Sequence, residues 1–286
     1  MPRDEAGPRI VLAPAAVGRR AGLFVVLALG LSWVPLGVLA ATTRDPAADG
    51  LSGLLFLAGG LGPGLAALLT VRVTDGQGSV RPFLAGLVRW RMGRWAFVLL
   101  APLPVALAAV GLAAVTGPAG FDSAGLASWY LLPALLLSGV VFGGLEEVGW
   151  RGYLQPVLQS RMSALMASLA VGVVWAVWHA PLFWLASTTQ AEASLWWFAL
   201  GAVGLSVVFA WVYNSSAGNL LLLVLLHAAV NGWYSAAVEG LAPGVRGAGF
   251  EAYVALLTVL IAVGLVVRYG AQDLSRRRRV VWQAGV

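Results

Sequence analysis

Polar and apolar residues are not interleaved along this chain but come in blocks. Apolar runs occupy roughly residues 21–41, 51–71, 95–116, 126–150, 163–185, 194–213, 218–237 and 250–269. Each is near the ~20 residues that carry an α-helix across a bilayer core. In lipid only helices and closed barrels satisfy their backbone groups. Barrel strands alternate apolar and polar positions, whereas these runs are continuous. The pattern therefore predicts an all-α, polytopic transmembrane helix bundle of about eight spans. The first run, Ala21 to Ala41, exceeds the ~7–15 apolar residues of a cleavable leader, so it is read as a retained span. Three regions follow: a cytoplasmic segment 1–20, a membrane domain 21–270 whose chemistry-bearing motifs fall in 126–237, and a basic cytoplasmic tail 271–286.

Composition agrees with lipid surroundings. Sixty per cent of the 286 residues are hydrophobic and 10% are charged, where a soluble domain carries about a quarter charged. There are no cysteines, which excludes disulfides, thiolate metal sites and a cysteine nucleophile. All 18 basic residues are arginine. Sixteen of them fall on one face: Arg3, Arg9, Arg19 and Arg20; Arg72, Arg81, Arg89, Arg91 and Arg94; Arg151 and Arg161; Arg268 and Arg276–Arg279. Only Arg44 and Arg246 fall on the other. The positive-inside rule then places both termini in the cytoplasm. The Arg276–Arg279 run sits beside a span, so its expected partner is anionic lipid rather than nucleic acid. Trp95, Trp129, Trp196 and Trp197 lie near span ends, where indoles prefer the interface. Absence of lysine with abundant alanine, glycine and arginine points to a GC-rich bacterium, hence to a bacterial plasma membrane.

Ionisable residues inside spans are expensive and mark function. Here they are few. Glu146 and Glu147 end the fourth run in LEEVGWRGYLQP; the two histidines of the chain are His179 in WAVWHAPLF and His227 in LLHAAVN. Glu147 and Arg151, one helical turn apart, share a face and can pair. A glutamate held by an arginine stays anionic and shuttles protons poorly, whereas one without a cation can accept a proton and return it. Chemistry is therefore assigned to Glu146, and a chiefly structural role to Glu147 and Arg151. Met162 lies almost midway along the sequence between Glu146 and His179. With a turn there, antiparallel helices would set both side chains level, each about 25 Å from the turn at ~1.5 Å per residue. Asn231 follows His227 by one turn on the same face. Asn231 is either a helix–helix contact or, with His227, a donor pair for an oxyanion. No G-x-S-x-G nucleophile elbow or H-E-x-x-H helix occurs. The economical nucleophile is a water activated by Glu146, alone or together with His179. No cofactor is needed, although two histidines and a glutamate also form a zinc ligand set.

These residues resemble the CAAX prenyl endopeptidase and bacteriocin-processing family of intramembrane glutamic peptidases. Its Glu-Glu-x-x-x-Arg motif matches Glu146, Glu147 and Arg151. Its Phe-x-x-x-His matches His179, with Trp175 in place of the phenylalanine, and its His-x-x-x-Asn matches His227 and Asn231. The resemblance extends from the fourth run to the seventh. It implies hydrolysis of a peptide or protein substrate, membrane-associated, in a membrane-embedded cavity open to the cytosol. It also admits a non-catalytic protein of the same fold, a bacteriocin immunity factor or binding scaffold. A transporter would show internal repeats or helices broken in both halves; neither is seen, although Gly59–Pro63 interrupts the second run.

Overall fold

The computed structural model describes residues 12–88, 93–104, 106, 108, 111, 129–236, 238, 242 and 248–283. Among them all regular structure is helical. The main elements are α1 (Pro14–Thr42), α2 (Gly50–Gly60), α3 (Gly62–Asp75), α4 (Leu132–Gln159), α5 (Ala164–Trp178), α6 (Leu195–Ser215), α7 (Leu220–Tyr234) and α8 (Ala248–Tyr269). Five of these, α5 being continued by the helical turn Ala180–Trp184, are long and apolar enough to cross a membrane, and α2 with α3, bent by 50°, makes a sixth candidate. The expected seventh span is α7, whose 15 residues reach only about 22 Å. Residues 105, 107, 109, 110 and 112–116 of the expected third span, together with Arg3, Arg9, Arg89, Arg91 and Arg246, lie outside the described residues.

The starts of the helices follow their sequences. Pro14 opens α1, where a missing N–H costs nothing. Asp49 caps α2 by accepting from Ser52 N at 2.8 Å, and that bond holds its carboxyl below the usual range. The first helix thus begins ahead of the predicted Ala21 and takes Arg19 and Arg20 into its first turns.

Large apolar side chains such as Val26, Val73 and Val267 point outward, as lipid contact allows. Inside, helices meet through small residues, the membrane substitute for a water-driven core. A methyl group on Gly139 or Gly144 would strike the α7 carbonyls of Ala228 or Val224 at 2.6 and 2.7 Å. That close approach brings α7 against the middle of α4.

α4 departs furthest from its predicted course. It runs on past residue 150 to Gln159, with π-helical turns at Val140–Gly144 and Trp150–Leu154 on either side of Glu146–Gly149. In each, the bond skips one residue: Leu145 N donates to Val140 O and Gln155 N to Trp150 O. Pro156, which has no N–H to give to the preceding turn, follows the second. The apolar pattern predicts Arg151 in a cytoplasmic loop; it lies within α4 and is fully buried. The helix continues because Gln155 and Gln159 find buried partners, Gln155 Nε2 donating to Gln159 Oε1 and Gln159 exchanging bonds with Asn214.

Tertiary contacts group the bundle ends. At one end Arg20 pairs with Asp75 at 2.6 Å, and Arg161 Nε donates to Leu12 O at 2.7 Å. After α8 the chain folds back onto this same end. Ala164 N donates to Gln272 O, Arg279 Nε to Gln159 O and Trp282 N to Pro156 O, at 2.9–3.0 Å. A tail lying wholly against lipid is thus not what forms. Trp282 is buried edge-on to Tyr153, and Arg279 is bound, while Arg276–Arg278 stay exposed. At the opposite end Ala186 N donates to Arg44 O at 2.6 Å and Ser194 N to Glu251 Oε2 at 2.7 Å. Reporter fusions at the N-terminus and after Arg279 should both read cytoplasmic; opposite readings would refute the orientation drawn from the arginines.

Candidate active site

Glu146 and Glu147 sit side by side on α4 but face different neighbours. Glu146 Oε2 accepts from two indoles, Trp175 Nε1 at 2.8 Å and Trp150 Nε1 at 3.3 Å. Glu147 Oε1 accepts from Arg151 at 3.0 Å and from His227 Nδ1 at 2.8 Å. The second of these contacts joins residues far apart in the chain, and helical spacing does not predict it. Arg151 also donates to Ser206 Oγ, which is tied to Ser168 O. Its guanidinium lies over the rings of Trp175 and Phe209 at 5.2 and 5.0 Å. A fully buried ion pair in this setting holds only because it is compensated by such contacts.

His179 follows the last turn of α5, with Nδ1 2.8 Å from Trp175 O. A carbonyl only accepts, so Nδ1 carries the proton and Nε2 is left free. The same logic applies to His227. Its Nδ1 faces Glu147 Oε1, an acceptor shared with Arg151, and donates to it, leaving Nε2 directed toward α4. A Cβ on Gly143 would lie 3.1 Å from that nitrogen and would overlap Asn231 Nδ2. Gly143 therefore keeps the space in front of both groups open. Asn231 Nδ2 itself donates to Phe142 O at 3.4 Å.

Glu146, His179, His227 and Asn231 line one cavity of about 450 Å³, with Trp175, Trp178 and Phe198 among its walls. Glu147 and Arg151 stand behind it. Among the described residues no three His, Asp or Glu side chains gather as a metal-binding group. Trp197, read above as interfacial, also borders the cavity. Trp129 lies in a short helical turn, and its side chain is not described.

Trp175 is the functional candidate that spacing arguments missed. It touches Glu146 by a hydrogen bond, Arg151 by its ring face, and His179 and His227 edge-on at 5.6 and 5.3 Å. The signal was present: the family's phenylalanine cannot donate a hydrogen bond, and an indole can. Trp175→Phe keeps an aromatic wall and removes the donor. One hydrogen bond to a charged group is worth about 1.5–3 kcal/mol, so turnover should fall roughly 10–100-fold with little change in KM. Unchanged turnover would mean that Trp150 alone suffices to hold Glu146.

Comparison with known proteins adds an independent line. Residues 127–233 match the model of the family described as Type II CAAX prenyl endopeptidase Rce1-like. This segment is Rce1-like. A curated relative, CAAX prenyl protease 2 of Methanococcus maripaludis, is 33% identical over 103 residues, 34% of this chain. The match spans 37% of the relative's own length. The Rce1-like segment begins just before α4 and ends within α7, so it contains Glu146, His179, His227 and Asn231.

Proposed function

We propose that this chain is an intramembrane endopeptidase that hydrolyses a peptide bond with a water activated by Glu146. What supports the reading is that Glu146, His179, His227 and Asn231 all line one cavity and all fall within the Rce1-like segment. Glu146 takes a proton as the water oxygen attacks the carbonyl carbon. The amide of Asn231 faces the oxygen on which negative charge develops. Glu146 then gives its proton to the leaving nitrogen as the C–N bond breaks, leaving a carboxylic acid and an amine. Charge stabilisation of that kind acts strongly where water is excluded.

His227 enters differently from a simple donor. With Nδ1 committed to Glu147, it donates at Nε2 only when both nitrogens are protonated, and Glu147 is the counter-ion such an imidazolium requires. Glu147 and Arg151 are therefore positioning residues rather than mere packing. His179, with Nε2 free, accepts a hydrogen bond from the water or the substrate amide.

Purified protein in liposomes, given an apolar reporter peptide, should release a product that Glu146→Gln does not. Chelators should leave this activity intact. If chelation abolishes cleavage and zinc restores it, the Glu/His set works through a metal instead. If no peptide is cleaved while Glu146→Gln still binds it as the wild type does, the chain is a binding or immunity protein of the same fold.

A further inference from the structure

The tail lies outside the Rce1-like segment, yet it is fitted to the helix that carries Glu146. Carbonyls in the last turn of a helix lack donors from the helix itself. On α4 two of them are met by the tail. Pro156 O accepts from Trp282 N at 3.0 Å, a site it shares with Ser160 Oγ at 3.1 Å, and Gln159 O accepts from Arg279 Nε at 2.9 Å. A guanidinium there also suits the negative end of the helix dipole. The tail itself is firmly seated. Val280 N donates to Asn214 Oδ1 at 3.0 Å. Leu274 is fully buried in one apolar cluster with Ala164 and Ala210, although its backbone sits in the left-handed region at φ 45°. Such a conformation is kept where the surroundings over-determine it.

From the tail an unbroken run of rings leads to the site. Trp282 stands edge-on to Tyr153 with centroids 4.8 Å apart, Tyr153 lies 5.4 Å from Phe24, and Phe24 lies 5.6 Å from Trp150. Trp150 donates to Glu146 Oε2 at 3.3 Å; it also meets Trp178, which stands edge-on to His179. Phe24, Trp150 and Tyr153 are fully buried. Trp150 and Tyr153 both belong to the second π-helical turn of α4. A π-turn is a local insertion in an α-helix, and a slip of one residue there would swing Trp150 by about 100° around the helix axis, away from Glu146. The Nε1 of Trp282 makes no hydrogen bond among the described residues, so what its ring supplies is bulk and edge-on contact.

We infer that Trp282 is a positioning residue for Glu146. By packing on Tyr153 it holds the Trp150–Leu154 turn in the register that aims the Trp150 indole at the carboxylate. The inference rests on the peptidase reading above and adds to it a residue that none of the three motifs contains. Trp282 touches no reacting atom; it acts through Tyr153 and Trp150.

The test uses full chains in liposomes and the reporter peptide, at a temperature well below each thermal transition. The variants are Trp282→Ala, Trp282→Phe, Trp150→Phe and the double variant Trp282→Ala with Trp150→Phe. Trp282→Ala should lose roughly 3–10-fold in kcat, the size of one modest hydrogen bond, with KM unchanged. Trp282→Phe, which keeps a ring on Tyr153, should keep most of the parent's kcat. In the Trp150→Phe background the indole donor is already gone. There Trp282→Ala should cost no more than about twofold further, because effects that run through one contact do not add. A full second loss in that background would overturn the positioning role. So would an unchanged kcat in Trp282→Ala, or a loss that only tracks the folded fraction. Should alanine keep the chain from accumulating, Trp282→Leu retains apolar bulk without a ring and should show the same fall in kcat. Absence of cleavage by the parent would instead overturn the peptidase reading, and with it any part of the tail in catalysis.

Discussion

Glu146→Gln should lower peptide cleavage about 10²–10⁴-fold, the usual worth of a general base, while the protein remains folded. Glutamine keeps the volume of the side chain and an oxygen that can accept from the indoles of Trp175 and Trp150. What it loses is the ability to take the proton of the attacking water. Substrate binding should persist, so kcat falls and KM moves little. The measurement is single-turnover cleavage in liposomes beside a thermal melt. Turnover near wild type would remove Glu146 from the chemistry. Turnover lost together with several degrees of melting temperature would mean a packing role.

Glu147→Gln should be the most damaging single change to stability. It leaves the fully buried guanidinium of Arg151 without its carboxylate. Breaking a buried pair from one side costs about 3–5 kcal/mol, which for a chain of this size means a loss of about 10 °C. It also weakens the acceptor at His227 Nδ1, so activity should fall beyond what partial unfolding explains. The double variant Glu147→Gln with Arg151→Met separates the two effects. Removing both charges from an apolar site is often close to neutral, so the melting temperature should recover. Activity should not, because His227 still lacks its anionic partner. If activity returned with stability, Glu147 would serve Arg151 alone.

Some of this was legible in the chain and some was not, for reasons that particular residues make plain. Long apolar runs announced the helices, because lipid tolerates no other open backbone. One-turn spacing announced the Glu147–Arg151 pair, because it is a local contact. The contact between Glu147 and His227 was not legible. It depends on α7 approaching α4 over Gly143 and Gly144, and the spacing of His227 and Asn231 puts them on one face of α7 without saying which helix that face meets. The same holds for Trp175, whose indole is apolar by composition and a hydrogen-bond donor only in place. The apolar run stopped at residue 150 because Arg151 reads as the start of a loop, although a turn at Met162 already required the helix to run on. Arg151 and Gln159 find their partners, Ser206 and Asn214, 55 residues further along, and no periodicity reveals them.

The returning tail has a consequence for the way the protein is made. Gln159 bonds to Val280 O, a group 121 positions later in the chain. At about 5–20 residues per second, synthesis of that interval takes roughly 6–24 s. Through that time the buried amides at the end of α4 have no tail to meet, and the ring of Tyr153 has no Trp282 beneath it. Insertion of the spans thus precedes completion of the structure that steadies the glutamate-bearing helix. The spans of the newly made chain reach the bilayer before the tail can dock on α4.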